Sequence, residues 1–368
     1  MLLRNCISAA RGLVVLGPFA CALFCGTPAS AEIKSFRDWI AACDNTRTCN
    51  AYGFDADIGG NAYLRLARDG APDAPLRITL AVNMDGGSKF ELAFDDPALA
   101  GLPARVIDGK TNGEDDLKRL DISNPNAVEP MIAGMRKAKK LIVTRIDEPG
   151  GTPNDPAATD ISLSGMVAAL LWIDEQQNRV GTVTALIGRG DKPASAVPPP
   201  PAASVVPAIK ISPMPDVRKA PAAVVAKARA VCRDRKVGDV DDATRLGADE
   251  VMYWFQCNEL SGAYNYFYAQ LIAAPGKPVR EVEFRLPREL AGQGQDHGDV
   301  EMNMNPGFDE SIQTLSMLNK GRGISDCGQT SDWVWDGHAF RLIASRSMPT
   351  CKGVAPSDWP TLYRAERK

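Results

Sequence analysis

The chain of 368 residues has only two histidines, and none of its nine cysteines lies in a Cys-x-x-Cys pair. Zinc sites draw on His and Cys ligands, and thioredoxin-like redox sites use Cys-x-x-Cys. The sequence also lacks a P-loop, a Gly-x-Gly-x-x-Gly turn between strand and helix, and a Gly-x-Ser-x-Gly motif. Nucleotide binding and a serine nucleophile elbow are therefore not indicated, and we expect no metal and no cofactor.

Long apolar runs are scarce as well. The main one, residues 13–25, is shorter than the roughly 20 residues that a membrane-spanning helix needs. It follows two arginines and ends at Ala-Ser-Ala, which is the pattern of a secretory signal peptide. We expect residues 1–31 to be removed and the mature chain to be soluble, in the periplasm or secreted from a Gram-negative bacterium. Lipidation at Cys21 or Cys25 is the weaker alternative, because neither is preceded by the residues that a lipoprotein signal uses.

An excess of positive charge is also missing. The formal net charge is −3, and the only basic cluster is residues 136–140. Nucleic-acid-binding domains carry a basic patch or stripe. The cluster is typical of the solvated C-terminal end of a helix, where cations complement the helix dipole. We expect no nucleic-acid partner.

Six cysteines remain after the expected signal peptide: Cys43, Cys49, Cys232, Cys257, Cys327 and Cys351. An even number in an exported chain predicts disulfides, and six cysteines allow 15 pairings. The nearest pairs in sequence are Cys43 with Cys49, Cys232 with Cys257, and Cys327 with Cys351, which we expect to be the disulfides. For the last four, crossed pairings such as Cys257 with Cys327 stay open.

Proline is concentrated in residues 193–215, with four in a row at residues 198–201. Proline has no N–H for a helix or sheet and favours polyproline II, a semi-rigid spacer. We expect residues 193–221 to be a linker that separates two independent domains, residues 32–192 and residues 222–368.

Both expected domains carry strand patterns. Residues 62–67 and 76–82 alternate apolar and polar side chains, and residues 264–272 are aromatic and β-prone. Residues 180–187 predict a last strand of the first domain, and Ser164 is placed to cap an apolar helix before it. The predicted fold class is α+β, mostly β, with a second β-rich, disulfide-clamped domain after the linker.

The order Trp39, Cys43, Cys49, then the stretches MRKAKKLIV and SLSGMVAAL, resembles the invasion-associated locus B family. That resemblance implies an immunoglobulin-like β-sandwich with helical insertions for the N-terminal half. Most of the mature chain resembles an uncharacterised family of secreted proteobacterial proteins, a domain of unknown function. The matching stretches are CDNTRTC, WIDEQQNRVGTVTALIGRG, CNELSGAYN, SDCGQTSDWVWDGHAFRL and CKGVAPSDWPTLYRA. The family implies no catalytic residues.

The sequence around Asp336-Gly337 predicts a two-residue hairpin turn. That register pairs Trp335 with His338 and Trp333 with Phe340 on one face. The four side chains are a candidate binding surface for a sugar or a peptide. The favoured alternative is cross-strand packing in the core, since aromatic pairs stabilise hairpins without a ligand.

Other candidate chemistry is weaker. His297 lies between two aspartates and could act as a general base, although a solvated loop histidine is the favoured interpretation. The spacing from Asp239 to Glu250 is similar to a calcium loop, but Ala243 and Thr244 depart from the EF-hand pattern.

These observations favour an exported, non-catalytic envelope protein that binds another protein, a glycan or a small ligand. The alternative is a carboxylate-dependent hydrolase or lyase acting on an envelope glycan. A buried pair of carboxylates in a cleft, about 5–9.5 Å apart, would favour the hydrolase.

Overall fold

A computed structural model describes the protein over residues 31–55, 60–84, 87–99, 106–108, 110–111, 117–148, 157–290 and 303–368. Residues 1–30 of the expected signal peptide, and His297, lie outside these ranges. The chain is mostly β, as the sequence predicted.

The N-terminal half forms two antiparallel sheets and two helices. The first sheet has the order β1-β2-β3-β4-β5-β8 and the second has the order β10-β9-β6-β7. The elements are β1 (Glu32–Phe36), β2 (Trp39–Cys43), β3 (Cys49–Phe54), β4 (Ala62–Arg68), β5 (Arg77–Val82), β6 (Lys89–Phe94), β7 (Val106–Asp108), β8 (Lys118–Ile122), α1 (Pro125–Met135), β9 (Lys140–Arg145), β10 (Ala158–Ser162) and α2 (Met166–Gln176).

The two sheets of this half share one core. Leu64 and Ile78 of the first sheet pack in the same cluster as Phe90 and Val143 of the second, which makes the half a β-sandwich. Trp39 of β2 is fully buried and donates its indole N–H to the Ser162 carbonyl oxygen at 2.8 Å. Its ring covers the backbone of the next strand, where Gly53 is required because a Cβ there would overlap the ring.

The C-terminal half has two further sheets and one helix. One sheet has the order β11-β21-β20-β19-β18-β17 and the other has the order β12-β13-β14-β15-β16. The elements are β11 (Ser204–Val206), β12 (Ser212–Pro213), α3 (Ala222–Cys232), β13 (Asp242–Arg245), β14 (Val251–Gln256), β15 (Tyr268–Ala273), β16 (Arg280–Glu281), β17 (Gly307–Asp309), β18 (Thr314–Lys320), β19 (Gly328–Trp335), β20 (Phe340–Met348) and β21 (Thr361–Arg367).

These two sheets also pack face to face. Met252 and Ile272 of the five-stranded sheet lie in one buried cluster with Leu315 and Trp333 of the six-stranded sheet. Helix α3 covers the opposite face of the five-stranded sheet, where a second cluster includes Val224 and Leu271. Each of the three α-helices in the described part of the chain has 11 residues. Within the described ranges, no helix has the length and apolarity that crossing a membrane requires.

The proline-rich segment does not stand away from the rest of the chain. Within residues 193–221, β11 pairs with β21 in parallel and β12 pairs with β13. Val197 and Ile211 are buried, and Pro200 lies against Gly70. The prediction of a free spacer is therefore wrong, because short strands next to the prolines pair with the edge strands of two sheets. The boundaries at residues 192 and 222 stay a prediction.

The two halves are also in direct contact. One buried cluster joins Tyr52 and Tyr63 of the N-terminal half to Met348, Val354 and Trp359 of the C-terminal half. Each half therefore buries part of its apolar surface on the other, and the division into two domains stays a prediction.

The cysteines are joined in the expected pairs. Cys43 and Cys49 lie opposite each other on β2 and β3, with Cα atoms 4.1 Å apart. Cys232, at the end of α3, is joined to Cys257 after β14. Cys327 and Cys351 join the chain before β19 to the chain after β20, so this bridge closes the open end of that hairpin.

Two local predictions are wrong. The β19–β20 hairpin pairs Trp335 with Phe340 and Val334 with Arg341, so its loop has four residues instead of two. The loop forms because the Asp336 carboxylate accepts the backbone N–H groups of His338 and Ala339, both at 2.8 Å. Residues 180–187 form turns and an isolated bridge in place of the expected strand.

Candidate functional site

The aromatic side chains of the β19–β20 hairpin form core, not an exposed surface. Trp333, Trp335 and Phe340 are buried between the two C-terminal sheets. Phe284 packs edge-on against Trp333, with ring centroids 5.2 Å apart, and covers Phe340 at 5.5 Å. Only His338 of the predicted binding surface is exposed. The hydrophobic effect and ring packing account for this cluster without a ligand.

The predicted acidic and helix-capping residues do not converge on a site either. Asp241, next to the suspected calcium loop start, accepts the Gln256 N–H at 2.5 Å, while Glu250 faces Arg280 at 3.8 Å. Among the described residues, neither carboxylate belongs to a cluster that could hold a metal ion. Ser164 does not cap α2, because Gly165 occupies the N-cap without any side-chain hydrogen bond.

Asp358 forms the main polar contact between the halves. Its carboxylate accepts hydrogen bonds from the Tyr63 hydroxyl, from Arg65 at 3.0 Å and from Arg119 at 2.8 and 2.9 Å. Tyr52 donates to the Asp358 carbonyl oxygen at 2.5 Å. Burial raises the pKa of Tyr52 and of Tyr63 far above the ordinary value, and the Asp358 charge adds to both shifts. All five side chains have partners within this cluster, which joins the halves.

A second buried polar cluster fixes residues 180–192. The Asp174 carboxylate accepts the backbone N–H groups of Leu186, Ile187 and Gly188, and Arg68 donates to it at 2.8 Å. Arg179, also buried, donates to backbone carbonyl groups of the turn after β4. Burial and the nearby Arg179 lower the pKa of Arg68 to about 10. These satisfied contacts are structural, and they explain why residues 180–187 are a fixed loop.

A cleft in the C-terminal half has a different character. It has a volume of about 790 Å³ and lies beside β15, between the end of α3 and the chain after β16. We call it the β15 cleft. Its apolar walls are formed by Val231, Leu260, Phe267, Val282, Phe284 and Met304. Its volume is within the range of small-molecule sites, about 300–1,000 Å³.

Two residues that line this cleft, Gln270 and Asn303, carry buried polar atoms without partners. The Gln270 side chain is 2% exposed, yet neither its amide nitrogen nor its amide oxygen has a hydrogen-bond partner in the described part of the chain. Asn303, 6% exposed, donates its amide to the Tyr268 carbonyl oxygen at 2.9 Å, which leaves its Oδ1 unpartnered. The indole N–H of Trp254, the cross-strand neighbour of Gln270, is unpartnered too. Such groups are rare in folded proteins and each requires an explanation.

Among the described residues that line the β15 cleft, the charged side chains lie at its edge. Glu281, Glu283 and Arg233 line it and are exposed, and Glu283 is ion-paired with Arg285. The arrangement offers amide hydrogen bonding inside apolar walls, with charges that stay in water.

Sequence reasoning missed Gln270, although a signal was present. Residues 264–272 were predicted as a strand, and the structure places the side chains of Ala269 and Leu271 against α3. Period-two alternation then directs Gln270 and Ile272 into the sandwich core. A glutamine at an inward-facing position is the feature that marks the site.

Comparisons with known proteins place the chain in a family. The family described as "Protein of unknown function (DUF1176)" matches residues 33–366. The "Uncharacterized protein YpfG" of Escherichia coli (strain K12) is 31% identical over 343 residues, which cover 90% of this chain and 92% of the relative. A solved structure, invasion associated protein B from Bartonella henselae, covers 40% of this chain and 99% of its own, at 16% identity and a TM-score of 0.28. With a match that spans nearly all of the expected mature sequence, the chain belongs to the DUF1176 family of proteins of unknown function.

Proposed function

We propose that this protein is an exported, non-catalytic protein of the bacterial cell envelope that binds a small ligand in the β15 cleft. The observation that carries the proposal is the buried, unpartnered amide of Gln270. Leaving a buried polar group unsatisfied costs about 1–3 kcal/mol. A ligand that hydrogen-bonds to this amide removes that cost, and a ligand of the wrong shape does not. Binding sites use this difference to select their ligands.

Export is supported by the sequence and by the cysteines. Residues 1–31 have the charged, apolar and small-residue order of a signal peptide. The six cysteines that follow are all joined in disulfides, which persist in oxidising compartments such as the periplasm. The intact mass of the protein from its native host tests this part. A mature chain that starts at Glu32 is expected, and a mass that includes residues 1–31 or an attached lipid would contradict it.

A carboxylate-dependent hydrolase or lyase is the alternative. The β15 cleft does contain two carboxylates, Glu281 and Glu283, but both are exposed and Glu283 is neutralised by Arg285. A glycosidase acid needs a pKa raised by burial or by a like charge. The exposed glutamates favour binding over hydrolysis.

The proposal predicts that a fraction of small molecules from envelope extract stabilises the full mature chain against thermal unfolding. Gln270→Met should remove the stabilisation, because it keeps the side-chain volume and deletes the amide. Gln176→Met is a matched control, since Gln176 lies on α2 in the N-terminal half and does not line the cleft. The bound compound should be recovered with its mass unchanged. Recovery of a cleaved product, or equal stabilisation of the Gln270→Met variant, would contradict the proposal.

A further inference from the structure

We propose that the β15 cleft recognises the acetamido group of an N-acetylated amino sugar. This inference rests on the proposed function, because it names the ligand class of the same site. A secondary amide presents one N–H and one carbonyl oxygen, and the cleft offers an unpartnered acceptor and an unpartnered donor for them.

The acceptor is Asn303 Oδ1. The Asn303 amide nitrogen donates to the Tyr268 carbonyl oxygen at 2.9 Å, which fixes the orientation of the side chain and leaves its oxygen without a partner. The donor is the Gln270 amide nitrogen, and the Gln270 oxygen remains for one hydroxyl group. A ligand amide that donates to Asn303 and accepts from Gln270 would pair both side chains.

The ligand group must be neutral. Among the described residues that line the β15 cleft, the side chains with full charge are exposed at its edge. A carboxylate or ammonium group placed beside Gln270 would lose water and gain no counter-charge, which is strongly unfavourable. Val282, Phe284 and Met304 instead offer apolar surface for a methyl group.

An amino sugar fits these groups better than a peptide does. The buried polar groups can pair with one amide. A peptide would place further backbone N–H and carbonyl groups against apolar walls, where they would have no hydrogen-bond partner. A sugar carries its amide at the end of a short branch. Apart from the hydroxyl group paired with the Gln270 oxygen, its ring hydroxyls would stay at the edge, where Glu281, Glu283 and Arg233 can hydrogen-bond to them.

Calorimetric titration of the full mature chain tests the inference with three probes. They are the trimer of N-acetylglucosamine, cellotriose, which has a hydroxyl group in place of each acetamido group, and N-acetyl-alanine-methylamide, a capped peptide unit. We expect the N-acetylglucosamine trimer to bind at least about tenfold more tightly than cellotriose, which has no amide to pair with Gln270 and Asn303, and than the capped peptide, whose second amide would meet apolar walls. Gln270→Met should weaken binding of the trimer by about tenfold or more, while Gln176→Met should leave it unchanged.

A melting curve of each variant shows that it is folded, and Gln270→Leu is a second variant in case methionine overfills the site. Equal affinity for cellotriose and the trimer, or full affinity in both Gln270 variants, would overturn the acetamido assignment. Binding of the capped peptide but not of the trimer would overturn the sugar assignment. If an envelope ligand still binds through Gln270 while the trimer does not, this inference fails and the proposed function stands.

Discussion

At the scale of single residues, Asp358 is the side chain on which the contact between the halves depends most. Its carboxylate is nearly buried and pairs with Arg65 and Arg119, which are separated from it by more than 200 residues of chain. Removing one partner of a buried ion pair leaves the remaining charges unpaired. The resulting loss of stability is larger than the net contribution of the intact pair.

Asp358→Asn should therefore lower the free energy of unfolding by about 3 kcal/mol, because it removes the charge opposite Arg65 and Arg119. Urea denaturation followed by tryptophan fluorescence measures the change. Asp69→Asn is the control: Asp69 pairs with Arg77 on the surface, where both side chains are about half exposed, and its loss should cost less than about 1 kcal/mol. Equal effects of the two substitutions would show that Asp358 does not join the halves.

Local sequence patterns could not reveal these residues. Tyr52 and Asp358 are 306 positions apart, and no periodicity connects them. The aromatic residues of the β19–β20 hairpin were visible, and the sequence already favoured their place in the core. Gln270 was within reach of sequence reasoning, since an inward-facing glutamine breaks the apolar side of a predicted strand.

At the scale of elements, strands were easier to predict than the segments between them. Residues 62–67 and 76–82 alternate and belong to β4 and β5, because side-chain alternation is a local property. Residues 180–187 are rich in β-branched residues but are held as turns, because the Asp174 carboxylate accepts the backbone N–H groups of Leu186, Ile187 and the following Gly188. The predicted linker packs against the rest of the chain, because its strand β11 pairs with the edge strand β21.

The loop closed by Cys43 and Cys49 also has a role that its sequence did not show. Within it, Asn45 exchanges hydrogen bonds with the backbone of Arg364, at 2.9 and 3.0 Å, and Asp44 pairs with the Arg364 side chain at 2.5 Å. The disulfide therefore shapes a loop that contacts β21.

Replacing both Cys43 and Cys49 by serine should lower the free energy of unfolding by about 2.4 kcal/mol, the chain-entropy value for a seven-residue loop. Protease cleavage near Arg364 should become faster, because the loop that contacts it loses its constraint. Replacing Cys232 and Cys257 by serine, in contrast, should leave the cleavage rate near Arg364 unchanged. Peptide mapping during limited proteolysis measures the cleavage rate near Arg364 in both variants. Unchanged cleavage near Arg364 in the first variant would contradict a role for the loop in this contact.

At the scale of the whole molecule, the two halves should unfold as one unit, because a buried cluster and the Asp358 ion pairs join them. Tyr52 and Tyr63, with pKa values raised by burial, lie in this contact. Their raised pKa in the folded state means that the unfolded chain releases their protons first as pH rises.

The free energy of unfolding should therefore be unaffected by these tyrosines below pH 10.0, the ordinary tyrosine pKa, and should fall above it. The slope is up to about 1.4 kcal/mol per pH unit for each tyrosine. Tyr63→Phe should reduce the slope, and Tyr266→Phe, at an exposed position, should not. Urea denaturation between pH 8 and pH 11 measures the slope of the free energy of unfolding against pH for each variant. A slope that is the same in the Tyr63→Phe variant would contradict the assignment to this contact.

We propose that Gln270 is the recognition group of a ligand site in the β15 cleft. Ligand binding at Gln270 can be observed directly through side-chain amide resonances. The measurement is a ¹⁵N–¹H correlation spectrum of the mature chain, titrated with the small-molecule fraction of envelope extract. Absence of a signal in the Gln270→Met variant identifies the Gln270 amide. We expect the amide signals of Gln270 and Asn303 to shift together as ligand is added, while the amide signal of Gln176 does not move. Shifts confined to another surface, with the Gln270 signal unchanged at saturation, would contradict it.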